Sequence, residues 1–250
     1  MMKIVVYPHQ DQFSGFVQTV HRQFDKTGTI IFKHRNEIRL FNVDGQLINV
    51  KKFRKPFWLN RIFYTFFSLS KAERSFQHAL RLIEQGIETP EPVAFILIKR
   101  FGLLSESYYI SRQVDHNRNM YEFGSGGITE REQIVEAFAV FTAGIHEKGV
   151  YHKDYSPGNI LFKTEGDKIS FCLVDINRMR FGRISIPQGC ANFARLWGQK
   201  PFFELVMRKY AEQRHADPEI CLQHALRARR KFWKGYACKR PIPFALESPN

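Results

Sequence analysis

The sequence predicts an α+β protein of two lobes: a small antiparallel sheet with one main helix, then a helical half. Three observations carry this. Short alternating strands separated by turn residues fill much of the stretch before residue 113. Helical spacing of apolar residues takes over after residue 128. Between them, residues 114–127 are polar, contain glycine and read as a hinge. The expected organisation is residues 1–113 as the first lobe, 114–127 as the hinge and 128–250 as the second lobe. A cleft between such lobes is the favoured place for a ligand.

The elements follow in order. Residues 28–33 and 37–43 alternate and can pair as a hairpin around His34, Arg35 and Asn36. Asp44-Gly45 is a strong turn signal before a third strand over 47–51. Ser70-Lys71-Ala72-Glu73 matches a capping box, which predicts a helix start. Ala72, Phe76, Ala79, Leu80 and Ile83 form its apolar stripe, and Gly86 is its C-terminal stop. Strands over 93–98 and 108–111 follow the Pro-containing loop at 89–92. Thr129-Glu130-Arg131-Glu132 is a second capping box, leading into a helix with Ile134, Phe138, Phe141 and Ile145 on one face. Gly149 ends that helix, and helices dominate from 189 to 236.

Composition narrows the function classes. With 250 residues the chain can bury a sizeable core. Its 44% hydrophobic and 25% charged content is that of a globular protein, not a disordered one. Cys172, Cys190, Cys221 and Cys238 are widely spaced, which predicts reduced thiols and neither a disulfide framework nor a zinc site. The first residues are too short and polar an apolar run for a secretory leader, and no stretch is long enough to span a bilayer. A cytosolic location is expected. The formal charge of +14 favours a polyanionic partner.

Chemistry is concentrated in the second half. His152-Lys153-Asp154-Tyr155-Ser156-Pro157-Gly158-Asn159 has the H-x-D-x-x-x-x-N spacing of a kinase catalytic loop. Phosphoryl transfer needs a carboxylate to take the proton of the attacking hydroxyl, oxygen ligands for magnesium and a cation on the nucleotide phosphates. Asp154 is the expected base and Asn159 a metal ligand. Asp175 follows the apolar run Phe171-Cys172-Leu173-Val174, placing a second metal-binding carboxylate at a strand end. The plain alternative, a turn after a helix, explains either motif alone but not both in this order. His152 reads as structural, bracing the loop beneath Asp175. Lys51, in Ile48-Asn49-Val50-Lys51, is the expected phosphate-gripping cation, and Lys52 should point to the opposite face. Glu73 is the best candidate partner for Lys51, with Glu84 on a similar face.

At these residues the sequence resembles the lipopolysaccharide core kinases, the Kdo and heptose kinase family. Lys51, Gly86-Ile87-Glu88-Thr89-Pro90-Glu91-Pro92, the loop 152–159 and Asp175-Ile176-Asn177 carry the resemblance, which spans roughly residues 28–240. It implies a bilobal protein-kinase-like fold, with ATP and Mg2+ as nucleotide and metal. It also implies transfer of the γ-phosphate to a Kdo or heptose hydroxyl of an anionic glycolipid at the inner face of the cytoplasmic membrane. By position it assigns Asp154 as base, and Asn159 and Asp175 to the metal. Three departures are visible. No G-x-G-x-x-G joins the first two strands; Lys33-His34-Arg35-Asn36 stands there, so Arg35 is either a nucleotide contact or part of a solvated turn. The usual D-F-G is Asp175-Ile176-Asn177. No A-P-E follows; a short basic run, Arg178-Met179-Arg180-Phe181-Gly182-Arg183, takes its place and suits an anionic acceptor better than a peptide.

Two aromatic, basic segments leave alternatives open. Residues 56–67 contain Phe57, Trp58, Phe63, Phe66 and Phe67 between flanking cations, and either cover the small lobe's core or meet a membrane surface. The run from Arg227 to Lys234 is either a solvated helix face with Trp233 packed inward or a phosphate contact. No nucleic-acid motif accompanies it, so no nucleic-acid partner is expected. Competing functions are a small atypical protein kinase or antibiotic phosphotransferase, and a nucleotide-binding pseudokinase scaffold.

Overall fold

The computed structural model describes residues 1–124 and 127–244, with the backbone alone at Leu59, Asn60 and Phe66. Ser125 and Gly126 of the expected hinge, and residues 245–250, lie outside the described residues. Two compact units divide the chain, Met1–Val114 and Asp115–Asn250.

The first unit contains β1 (Met2–Val6), α1 (Ser14–Gln23), β2 (Thr29–Lys33), β3 (Glu37–Val43) and β4 (Gln46–Phe53), then α2 (Trp58–Phe66), α3 (Lys71–Glu84), β5 (Pro92–Arg100) and β6 (Leu103–Arg112). One antiparallel sheet of order β1-β5-β6-β4-β3-β2 results. The predicted β2–β3 hairpin and the Asp44-Gly45 turn are both formed, the latter with φ of 51° and 80°. Both faces of the central strands are covered, so β5 reads as a continuous buried run. On one face Val17, Val20 and Phe24, spaced at helical period, pack on Ile48, Val50, Ile96, Tyr108 and Ile110. On the other, Phe76 of α3 meets Phe95 of β5 ring edge to face at 5.3 Å.

The helix α3 starts at the predicted cap: the Glu73 backbone N–H donates to Ser70 Oγ at 3.1 Å. Its buried stripe is Ala72, Ser75, Phe76, Ala79 and Leu82. Ile83, expected on that stripe, is exposed, because the face rotates one residue toward Leu82 by the last turn. β1 and α1 are additions that strand-type patterning did not single out. The aromatic segment forms α2, and four of its described rings lie at the surface instead of in a core. Phe57, Trp58, Phe63 and Phe67 are 65%, 56%, 49% and 76% exposed.

The second unit contains β7 (Arg118–Asn119), α4 (Glu132–Glu147), β8 (Val150–His152), β9 (Ile160–Glu165), β10 (Lys168–Leu173), β11 (Met179–Phe181), α5 (Ile186–Asn192), α6 (Lys200–Gln213) and α7 (Pro218–Ala237). β9 and β10 form a hairpin with β7 added beside β9, and β8 pairs with β11. The predicted box at Thr129 does not form. Glu130 adopts φ +64°, and α4 begins at Glu132 without a side-chain cap. Gly149 ends α4 with φ +70°, a conformation only glycine adopts without strain, and a Cβ there would lie 2.9 Å from the Gly182 carbonyl. Trp233 is packed inward on α7, and Arg229 is buried, donating to the Leu196 and Gly198 carbonyls.

Phe138 of α4 is the centre of this unit. It is fully buried, with Tyr155, Phe171 and Phe193 at 6.0, 5.8 and 5.9 Å between centroids. Phe138→Ala is expected to cost about 3–5 kcal/mol of stability, read from urea unfolding. A loss below about 1 kcal/mol would show that this ring cluster does not hold the unit together.

Candidate active site

The loop after β8 is built by three chain segments that exchange backbone hydrogen bonds. Lys153 N–H donates to the Arg178 carbonyl at 2.9 Å, extending the β8–β11 pairing. Val174 N–H donates to the Asn159 carbonyl at 3.0 Å, fixing the end of β10 against the start of β9. Within the loop, Ser156 N–H and Asn159 Nδ2 both donate to the Asp154 carbonyl, at 2.8 and 2.9 Å. Gly158 has Tyr121 against it: a Cβ there would come 2.7 Å from that ring.

His152, fully buried, locks these segments together. A backbone N–H can only donate and a carbonyl can only accept, so its tautomer is determined. Nδ1 accepts from Asp154 N–H at 3.0 Å, and Nε2–H donates to the Val174 carbonyl at 3.1 Å. The expected bracing beneath Asp175 is therefore what this side chain does. Burial lowers its pKa and keeps it neutral.

Behind the loop runs a buried polar relay that no motif revealed. Asn192 Nδ2 donates to the His152 carbonyl at 2.9 Å. That orientation turns Asn192 Oδ1 toward His146 Nε2–H at 3.0 Å, leaving His146 Nδ1 to accept from Tyr210 O–H at 2.9 Å. Arg214 closes the relay by donating to the Tyr210 oxygen at 2.7 Å. Gly189 makes room for it, because a Cβ there would collide with the Tyr210 hydroxyl. Burial pushes the His146 pKa down to about 4. Tyr155, the residue after the expected base, points into the core and hydrogen-bonds Thr142 at 2.8 Å.

Asp154, Asn159 and Asp175 are thus brought to one pair of stitched loops. Asp175 takes φ +53° and ψ +44°, a left-handed conformation uncommon outside glycine, and its Oδ1 accepts from Asn177 Nδ2 at 2.5 Å. Asp154 is clasped by two guanidinium groups. Arg195 donates to its Oδ1 at 2.7 Å and Arg178 to its Oδ2. Arg178 lies in the basic run noted from sequence; Arg195 carried no signal, being distant in sequence from every motif.

An aspartate and an asparagine oxygen suit magnesium, which takes one or two protein ligands and completes its shell with phosphates and water. Asn159 fits this role because its NH2 group is spent on the Asp154 carbonyl, which turns its amide oxygen away from that bond. Among the described residues there is no cluster of three or more His, Cys, Asp or Glu for an all-protein metal cage.

The remaining expected residues lie in the first unit. Lys51 of β4 pairs with Ile38 of β3 and Tyr109 of β6, on the sheet face that α3 covers, and its Nζ lies 5.3 Å from the Phe53 ring centroid. Lys52 points the other way, as alternation predicts, to Asp25 at 2.9 Å. Glu73, expected as the partner of Lys51, gives its carboxylate to Lys3 of β1 at 2.9 Å. Its first-turn position sets it at the end of α3 beside that strand. Arg35 is exposed in the β2–β3 turn.

The sequence matches a family model described as the lipopolysaccharide kinase (Kdo/WaaP) family over residues 18–196, most of the chain. No curated protein matches it. Among solved structures it is similar to one described as WaaP in complex with acyl carrier protein, at 16% identity and a TM-score of 0.63. That likeness covers 94% of this chain and 99% of the other, and establishes a shared kinase fold.

The buried relay makes a pH prediction. In the unfolded chain His146 takes a proton near its ordinary 6.5, but in the folded protein only near 4. Between those values the unfolded state binds more protons, so stability falls as pH drops from about 6.5 toward 4, by up to about 1.4 kcal/mol per pH unit. Thermal melts across that range are expected to show the decline, and His146→Gln to reduce it, with buried His152 supplying part of what remains. An unchanged slope in the variant would remove His146 from the account.

Proposed function

The chain belongs to the lipopolysaccharide kinase (Kdo/WaaP) family, and on that premise we propose that it transfers the γ-phosphate of ATP to a Kdo or heptose hydroxyl of the lipopolysaccharide inner core. The observation that carries this reading is the cross-braced pair of loops holding Asp154, Asn159 and Asp175. Asp154 accepts the proton of the attacking hydroxyl as the new bond to phosphorus forms and the bond to the β–γ bridging oxygen breaks. Asn159 and Asp175 hold magnesium, which supplies charge neutralisation on the phosphates when bound. Lys51 steadies the nucleotide phosphates from β4, with Arg35 as a further nucleotide-side residue. Neutral His152 keeps the Asp154 backbone fixed while charge moves.

Contact with the inner face of the membrane is part of the same proposal. Among the described residues no helix is long and apolar enough to cross a bilayer. The exposed rings of α2 instead suit an interfacial position. Residues 45–72 contain Lys51, Lys52, Arg54, Lys55, Arg61 and Lys71 and no Asp or Glu. Arg54 and Lys55 are exposed beside Phe57 and Trp58, a pairing of cations and aromatic bulk that suits an anionic lipid surface. A groove of about 480 Å³ lies at the C-terminal end of the same helix, lined in part by Tyr64, Phe67, Leu69, Lys3, Glu73 and Lys99.

Two measurements test these points. With radiolabelled ATP, magnesium and Kdo-lipid A or a heptose-bearing core, label is expected in the glycolipid. Asp154→Asn is expected to lower kcat by about 10²–10⁴-fold with little change in nucleotide KM. Label in a general protein substrate, with none in either glycolipid, would overturn the acceptor class. In vesicle flotation, Phe63→Ser with Phe67→Ser is expected to weaken binding to phosphatidylglycerol vesicles at least about tenfold. Equal flotation of the variant and the wild type would sink the role of α2.

A further inference from the structure

We propose that Arg178 and Arg195 form a binding site for an anionic group of the acceptor, a carboxylate or a phosphate, and that filling it releases Asp154 for catalysis. The proposal rests on the kinase reading above and names what that acceptor must carry.

Charge at Asp154 is not balanced. Two guanidinium groups meet one carboxylate, each on a different oxygen, so the cluster retains one positive charge. Asp154 uses one N–H from each arginine, and a guanidinium has five. The side chains of Arg178 and Arg195 are 52% and 34% exposed, whereas that of Asp154 is 14% exposed. The arginines therefore face solvent with donors to spare, and the carboxylate sits beneath them. A planar donor fork of this kind matches carboxylate and phosphate oxygens.

Both arginines are firmly mounted. The Arg178 carbonyl is held by Lys153 N–H at 2.9 Å, next to the residue it clasps. Arg195 ends the short 3-10 turn Phe193–Arg195, which follows Asn192 of the buried relay, and its guanidinium lies 4.7 Å from the Phe232 ring centroid. Both cations are carried by segments braced to the catalytic loop itself. Among the described residues, both guanidinium groups donate to the Asp154 carboxylate and neither is seen donating to a backbone carbonyl.

Both Asp154 oxygens already accept from arginine, so a sugar hydroxyl that is to give its proton there must compete with a guanidinium. A neutral acceptor brings nothing to compensate the arginine it displaces. An acceptor with an anion near the hydroxyl offers the guanidinium groups a replacement partner. Binding of the correct substrate thereby uncovers the base, and a neutral alcohol or water leaves it clasped.

The test separates this site from the kinase reading by measuring binding and turnover independently. Titration calorimetry without nucleotide uses a soluble inner-core oligosaccharide in three forms: intact, carboxyl-reduced and dephosphorylated. Wild type is expected to bind the intact form and to lose about 10- to 100-fold in affinity when the recognised anion is removed, which tells carboxylate from phosphate. Arg178→Gln and Arg195→Gln are each expected to lose a similar factor for the intact form, and no more when that anion is absent. In steady-state transfer the variants are expected to raise acceptor KM and leave nucleotide KM unchanged. Equal affinity of wild type for all three forms would overturn the proposal. So would variants that lower kcat alone with acceptor affinity intact, because the arginines would then only position Asp154. Oligosaccharide binding that depends on both arginines, without any transfer, would support the site while sinking the kinase assignment.

Discussion

A single neutral imidazole underlies the arrangement of the site. His152 accepts from the Asp154 backbone with one nitrogen and donates to the Val174 backbone with the other. Protonation would put a second donor where an acceptor is needed, pointing at a backbone N–H, in a fully buried position. The same burial that lowers its pKa protects the geometry. The histidine of the H-x-D motif is thus a two-ended strut, and its chemical reactivity is incidental. It fixes the distance between the segment bearing Asp154 and the one bearing Asp175. The relay through Asn192, His146 and Tyr210 holds the strut's own carbonyl from behind. Each member donates toward the loop in one direction, so both ring nitrogens of His146 are satisfied in only one tautomeric arrangement.

What could be read in the sequence, and what could not, follows from the range of the interactions. The β2–β3 hairpin, the Asp44-Gly45 turn, the Ser70 cap and the glycine stops at Gly86 and Gly149 are local, and residue type states them directly. The spacing of Asp154 to Asn159 is local too, because one hydrogen bond from Asn159 to the Asp154 carbonyl sets it. Arg195, Asn192 and Tyr210 are 41, 40 and 64 residues from the atoms they bond, and no pattern in their own neighbourhoods marks them. The capping box at Thr129 failed for a related reason. Composition supplied the right residues, but Arg131 donates to the Glu122 carbonyl, and α4 starts at the residue after it. Glu73 shows both ranges at once: its backbone serves the local cap, while its carboxylate goes to Lys3, 70 residues away.

Aromatic content was equally ambiguous from sequence. Phe138, Tyr155, Phe171 and Phe193 stack into the second unit's core, while Phe57, Trp58 and Phe67 stand out from the surface. Composition alone does not separate these groups. Their surroundings do: the buried rings occur at helical or strand spacing among other apolar residues, and the exposed ones sit in a run free of acidic residues. Rings left in water add no burial energy to the unit, and their place beside cations is what the proposed lipid contact rests on.

The basic character of the chain then acquires a local meaning. A net charge of +14 says only that anions are welcome. At Asp154 the excess becomes specific, since two arginines share one carboxylate. The absence of a glycine-rich nucleotide loop and of a long activation segment removes two familiar means of gating a kinase. A clasp on the base itself supplies a third, one that responds to the acceptor instead of to phosphorylation. Because water carries no charge, such a clasp discriminates most strongly against the commonest competing nucleophile. It would be of least use to an enzyme whose acceptor was neutral.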